Sequence, residues 1–235
     1  MATSLRPLLD RDINMIRNDV LRLGSLVEDQ IRRAVQALRE RNVDLGQFVV
    51  ESDGRVNELR FKIEHECMST IARQQPTATD LRVIVAASHM AAELERMADH
   101  ASGIGEIVVR MGGEPPVKPL IDIPRMSDIV CGMTHSALDA FVSMDADLAR
   151  SIVLRDDEVD QLYTQVLREL ITYMMADEKL IPRAIYLLWV AHNLERIGDR
   201  ATNLCERVIF ASTGQLADYK PPKPPSAAPA LDNGE

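Results

Sequence analysis

Apolar residues recur along this chain in alternating steps of three and four. Between 87 and 108 the series Ala87, Met90, Leu94, Met97, Ala101, Ile104, Val108 runs without a fault. That spacing puts all seven side chains on one stripe of a helix, a coiled-coil-like seam. Upstream, Val49, Ser52, Val56, Leu59 and Ile63 keep the same rhythm. Alternation with period two is never sustained, so strands are not expected. Thr79-Asp80 offers an N-cap for the helix that carries the longer series.

Proline placement divides the pattern. Proline-free stretches cover 8–75, 77–114, 125–181 and 183–220, and long helices can run only there. Gly112-Gly113-Glu114-Pro115-Pro116 reads as a linker. The segment 219–235 holds five prolines and is expected to be a disordered tail.

The chain also repeats itself. Residues 44–66 align with 147–169 with seven of 23 positions identical, and 94–106 (LERMADHASGIGE) align with 194–206 (LERIGDRATNLCE) with six of 13 identical. Upstream, 26–38 matches 129–141 in apolar pattern. A repeat of about 100 residues is too long for a solenoid unit and points to a duplicated small domain. The fold expected is all-α: two tandem antiparallel three-helix bundles. Helices are expected at 8–42, 44–75 and 78–111 and, in the second half, from near 125, 146 and 182. The first bundle would span 1–114, the linker 115–124, the second bundle 125–218 and the tail 219–235.

Composition narrows the function. The chain is 46% hydrophobic and 27% charged, as soluble proteins are, and its net charge of −9 argues against a nucleic-acid binder. Three scattered cysteines, Cys67, Cys131 and Cys205, suit a reducing compartment. The longest clean apolar run, 184–191, is eight residues, against the roughly 20 of a membrane span. A cytoplasmic protein, at most peripheral to a membrane complex, is expected.

Candidate chemistry lies off the seam. On a helical wheel Glu95 and Asp99 fall on the side away from it, with Ser102 and Glu106 continuing the stripe; Glu195, Asp199, Thr202 and Glu206 repeat the arrangement. Carboxylates one turn apart repel, and a cation would reverse that penalty. Oxygen ligands suit hard or borderline cations such as Mg, Mn, Ca and Fe. A single Glu-x-x-x-Asp would be an ordinary solvated face. Its recurrence inside a duplicated LER-x-x-D block is informative, because outer faces of duplicated bundles drift. Asp53 and Asn57 in one half, Asp156 and Asp160 in the other, flank the seam of the middle helix and could meet these stripes. His192 precedes Glu195 by one turn but has Ala92 as its counterpart. Nucleotide-binding, zinc-protease, nucleophile-elbow and di-iron signatures are all missing from the sequence. A surface metal enzyme or a metal-storage bundle would use the same stripes; an open outer face argues against the enclosed site that a metal hydrolase or oxidase needs.

The stretch Ala72-Arg73-Gln74-Gln75-Pro76-Thr77-Ala78-Thr79-Asp80-Leu81-Arg82, followed by Glu93-Leu94-Glu95-Arg96-Met97-Ala98-Asp99, resembles the PhoU family. So does Thr172-Tyr173-Met174-Met175 followed by Leu194-Glu195-Arg196-Ile197-Gly198-Asp199-Arg200-Ala201. The resemblance covers roughly 8–213. It implies two similar three-helix bundles with multinuclear metal clusters on their surfaces, holding Fe, Zn, Mn or Mg. The first cluster would use Asp53, Glu95 and Asp99, and the second Asp156, Asp160, Glu195 and Asp199. Asn57 stands where a carboxylate is expected, and Met97-Ala98 replaces Ile-Gly, so the first cluster is expected to bind metal more weakly. The resemblance further implies a regulator and not an enzyme: a homodimer that restrains phosphate uptake, represses the phosphate-starvation response, and links the phosphate transporter's ATPase subunit to a membrane sensor histidine kinase.

Overall fold

The structure, a computed structural model, describes residues 6–216, so the expected disordered tail at 219–235 lies outside the described residues. Among the described residues seven α-helices follow one another: α1 (Arg6–Glu40), α2 (Val43–Gln74), α3 (Ala78–Met111), α4 (Asp122–Ser143), α5 (Ala146–Val153), α6 (Asp156–Ala176) and α7 (Ile181–Thr213), with one 3-10 turn at Glu178–Leu180. There is no strand among the described residues. At 1.5 Å per residue, α1, α2, α3 and α7 are each about 50 Å long.

The seam residues are where the pattern puts them. Ala87, Met90, Leu94, Met97, Ala101 and Ile104 are fully buried, as are Val49 and Ile63. Both repeats turn from first to middle helix in the same way. Arg41 and Met144 take left-handed backbone, with φ of 55° and 56°. The next residue caps the new helix: Asn42 accepts from the Leu45 amide, and Asp145 from the amides of Asp147 and Leu148. A short polar side chain at the N-cap satisfies amides that have no helical partner.

Three expectations need correction. The middle helix of the second half is not continuous: it breaks at Leu154-Arg155 into α5 and α6. The cap of α3 is Thr77, not Thr79-Asp80; Thr79 and Asp80 lie inside the first turn, where they pair with Arg82 and Arg6. Pro182 does not sit in a connection but within the first turn of α7, where its missing amide costs nothing.

The core is continuous across both repeats. Its axis is the pair α3 and α7, which make the most extensive helix contact in the molecule; α1 and α2 pack on α3, while α4, α5 and α6 pack on α7. Each axial helix therefore has neighbours on more than one side. This explains a second buried row on α3, Ala91, Ala98 and Gly105, made of small residues that let backbones approach. At Gly105 a Cβ would meet the Gly46 carbonyl oxygen of α2 at 2.8 Å. No helix among the described residues is long and apolar enough to cross a membrane.

Candidate metal centres on the axial helices

The axial position of α3 and α7 changes the reading of the acidic stripes. The expectation of an open outer face does not hold for the second repeat: Glu195, Thr202 and Asp156 are buried, and Asp160 and Asp199 are half-buried. A wheel centred on one seam assigns a single packed face, whereas α7 is covered by α3, α4, α5 and α6. In the first repeat Asp53 and Glu95 are half-buried and Asp99 is exposed. Further along, Glu106 is exposed and pairs with Arg110, and Glu206 lies against Arg207.

The first cluster brings α2 and α3 together. Asp53 Oδ2 accepts from Asn57 Nδ2 at 2.9 Å, and its Oδ1 is buried without a hydrogen bond. Burial pushes the Asp53 carboxyl above its ordinary range, and Asp99 adds to the rise; the Asn57 and Gln30 amides pull the other way. Glu95 is raised too, by burial first and then by Asp99, with Arg60 opposing and Asp53 reinforcing. These are three mutually repelling carboxylates on two helices. Arg60, the nearest opposing charge, is engaged elsewhere: it pairs with Glu64 at 3.1 Å and lies 4.7 Å over the Phe61 ring.

The second cluster repeats these carboxylates, adds Asp160 where the first has Asn57, and has another electrostatic setting. Arg196 bridges Glu195 and Asp199, with Nε 2.9 Å from Glu195 Oε2 and Nη1 3.0 Å from Asp199 Oδ2. Asp156 enters from the first turn of α6 and lies against Gly198, where a Cβ would come within 3.1 Å of Asp156 Oδ1. His192 stays exposed on the rim, 3.8 Å from Glu195 Oε2 and with its ring 6.1 Å from that of Tyr163. Thr202, read as part of the polar stripe, instead donates to the Asp199 carbonyl of its own helix at 2.7 Å.

The donor chemistry of both clusters is oxygen, which suits hard cations. The orphan Oδ1 of Asp53 and the repulsion around it make the first cluster a good fit for a cation. The second fits only if Arg196 withdraws. Among the described residues, no three His, Cys, Asp or Glu side chains are gathered as a ready-made ligand set. Like charges spread apart, and a cation would have to draw them together.

Sequence reasoning missed the cations. Arg196 and Arg96 were visible within the repeated LER block, and their different surroundings follow from position 93 and its counterpart, Glu in one repeat and Asn in the other.

Comparison with known proteins agrees with the internal repeat. The family model for the PhoU domain matches twice, over 20–108 and 123–208. A Pseudomonas putida protein described as a phosphate-specific transport system accessory protein PhoU homolog is 40% identical over 205 residues, 86% of this chain and 80% of that one. The Escherichia coli K12 phosphate-specific transport system accessory protein PhoU is 37% identical over 204 residues, covering 87% and 85% of the two chains. The crystal structure of PhoU from Pseudomonas aeruginosa superposes with a TM-score of 0.83 at 38% identity, over 88% of this chain and 99% of that one. That of the phosphate transport system regulatory protein PhoU from Streptococcus pneumoniae gives 0.82 at 28% identity, over 89% and 99%.

Proposed function

The chain belongs to the PhoU family, a family of regulatory accessory proteins and not of enzymes, and from that premise we propose that it is a cytoplasmic negative regulator of phosphate uptake and of the phosphate-starvation response. The observation that carries the reading is the match of the PhoU domain to both repeats, together with relatives named as accessory proteins of phosphate-specific transport. In this role the protein, as a homodimer, engages the transporter's ATPase subunit and the membrane sensor histidine kinase. Long helices with continuous cores suit it, since they present rigid faces without a cost of ordering on binding. Binding alone switches nothing: the protein must prefer one state of its partners. Moving a kinase from mostly on to mostly off takes about 5.5 kcal/mol of differential binding. Co-purification from membranes tests this directly. The transporter ATPase subunit should accompany the tagged protein, in amounts that differ between high and low phosphate; equal recovery in both, or none, counts against it.

The acidic clusters support a second element of the proposal, that the protein holds metal cations. Asp53, Glu95 and Asp99 would hold one, and Asp156, Asp160, Glu195 and Asp199 another. A bound cation would neutralise carboxylates and fix α2 or α6 against its axial helix. Purified without a chelating tag, the Glu95→Ala/Asp99→Ala and Glu195→Ala/Asp199→Ala proteins should each lose part of the metal content. Unchanged stoichiometry in both would refute it.

A further inference from the structure

The two carboxylate clusters share a Glu-x-x-x-Asp pair and an aspartate from the neighbouring helix, the second adding Asp160 where the first has Asn57, and the different placing of their arginines traces to one further position. At an offset of 100 residues Glu93, Arg96, His100 and Gly103 of α3 correspond to Asn193, Arg196, Arg200 and Asn203 of α7. The helices cross antiparallel, so position 93 reaches across to 200 and 203, and 193 to 100 and 103. Glu93 Oε2 accepts from Asn203 Nδ2 at 2.9 Å and from Arg200 Nη1 at 3.4 Å. Asn193 Oδ1 lies 3.0 Å from His100 Nδ1 and would be 3.3 Å from a Cβ on Gly103.

The geometry is twofold but the charge is not. Glu93 is a carboxylate and also draws in the arginine one turn along its own helix, Arg96, at 2.8 Å. Asn193 is neutral and offers nothing comparable, and Arg196 pairs instead with Glu195 and Asp199. We propose that Arg196 is the resident counter-cation of the second cluster, competing with metal for Glu195 and Asp199. This rests on the reading above that the clusters take cations.

The contact is built to be released. The Arg196 side chain is 40% exposed while Glu195 is 6% exposed. Its Nε, though 2.9 Å from the carboxylate, has no aligned hydrogen bond. The guanidinium can swing into water without moving backbone, leaving the buried carboxylate to a cation of higher charge. In the first cluster no such step is needed, because Arg96 is held by Glu93 and Arg60 by Glu64.

The test is a manganese titration of metal-stripped full-length protein, with free Mn(II) read by electron paramagnetic resonance. In a Glu95→Gln/Asp99→Asn background only the second cluster remains. There Arg196→Gln should tighten Mn(II) binding about fivefold, the scale of losing one partly exposed ion pair. Arg196→Lys should stay near the parent, and Arg96→Gln, which removes the same charge from the equivalent position, should change it much less. Should Arg196→Gln fail to fold, Asn193→Glu recreates the environment of Arg96 and should shift binding the same way. If Glu195→Gln/Asp199→Asn abolishes binding but Arg196→Gln leaves it unchanged or weaker, the competition is refuted and the metal reading stands. If neither pair of carboxylate substitutions alters Mn(II) binding, both fall together.

Discussion

Glu95 and Asp53 carry the electrostatic signature of the first cluster. Both carboxyls are raised, by burial first and then by Asp99. At these two groups the folded chain therefore holds protons that the unfolded chain releases, and their contribution to stability falls as pH rises from the ordinary carboxyl range, near 4, through the raised values. Glu95→Gln should flatten that decline and stabilise metal-stripped protein at neutral pH by a few tenths of a kcal/mol, small because Glu95 is only half-buried and Asp99 is exposed. Thermal melts of variant and parent between pH 4 and 7 check it; a Glu95→Gln melting temperature that falls relative to the parent as pH rises across this window contradicts the sign. At Glu195 the gain should be smaller, because Arg196 already offsets part of the repulsion there. At the cysteines, burial pushes the thiols up, to about 12 for Cys67 and Cys205 and about 11 for Cys131. The thiolate is the reactive form, so native protein should resist Ellman's reagent and release three thiols on unfolding. Fast labelling in buffer would contradict the packing. At this scale the seam was legible because burial follows period directly. The carboxylate surroundings were not, because a helical wheel knows one helix and these charges are set by the neighbour across it.

The break between α5 and α6 has no proline or glycine to announce it. What the sequence does hold is Asp156-Asp157-Glu158, an acidic first turn favoured by the amide ends of a new helix. The break lets Asp156 enter against Gly198, whereas the first repeat has Ala98 at that position and an unbroken α2. Gly198→Ala distinguishes packing from propensity. Helix propensity alone predicts a gain of about 1 kcal/mol, while the 3.1 Å approach of Asp156 adds strain of about 2 kcal/mol, a net loss of about 1 kcal/mol. Denaturant unfolding should show the loss; a gain would mean that Asp156 yields freely. The connection from α3 to α4 is pinned by another element-scale device invisible in sequence. Lys118 is buried, donating to Asp122 at 2.8 Å and to Glu169 of α6. Burial works against its charge, but the two carboxylates outweigh it and raise its pKa. Lys118→Met should cost about 2 kcal/mol by stranding Asp122, less than a fully enclosed pair because Glu169 is open to water. Unchanged stability would show the linker is not held there.

At the scale of the whole molecule, duplication was readable from the chain alone, and its consequence was not. Two similar bundles in tandem could sit apart; here α3 and α7 pack along their length and the core runs through both. Glu93, Arg200, Asn203, His100 and Asn193 join the repeats across this one interface. A regulator needs coupling between what it binds and which partner state it favours. The measurement that tests regulation most directly is alkaline phosphatase activity in a strain lacking this protein, grown in phosphate-rich medium. The account predicts high activity, returned to the repressed level by the intact gene. Normal repression in the deletion strain, with no second gene of the family present, would contradict it.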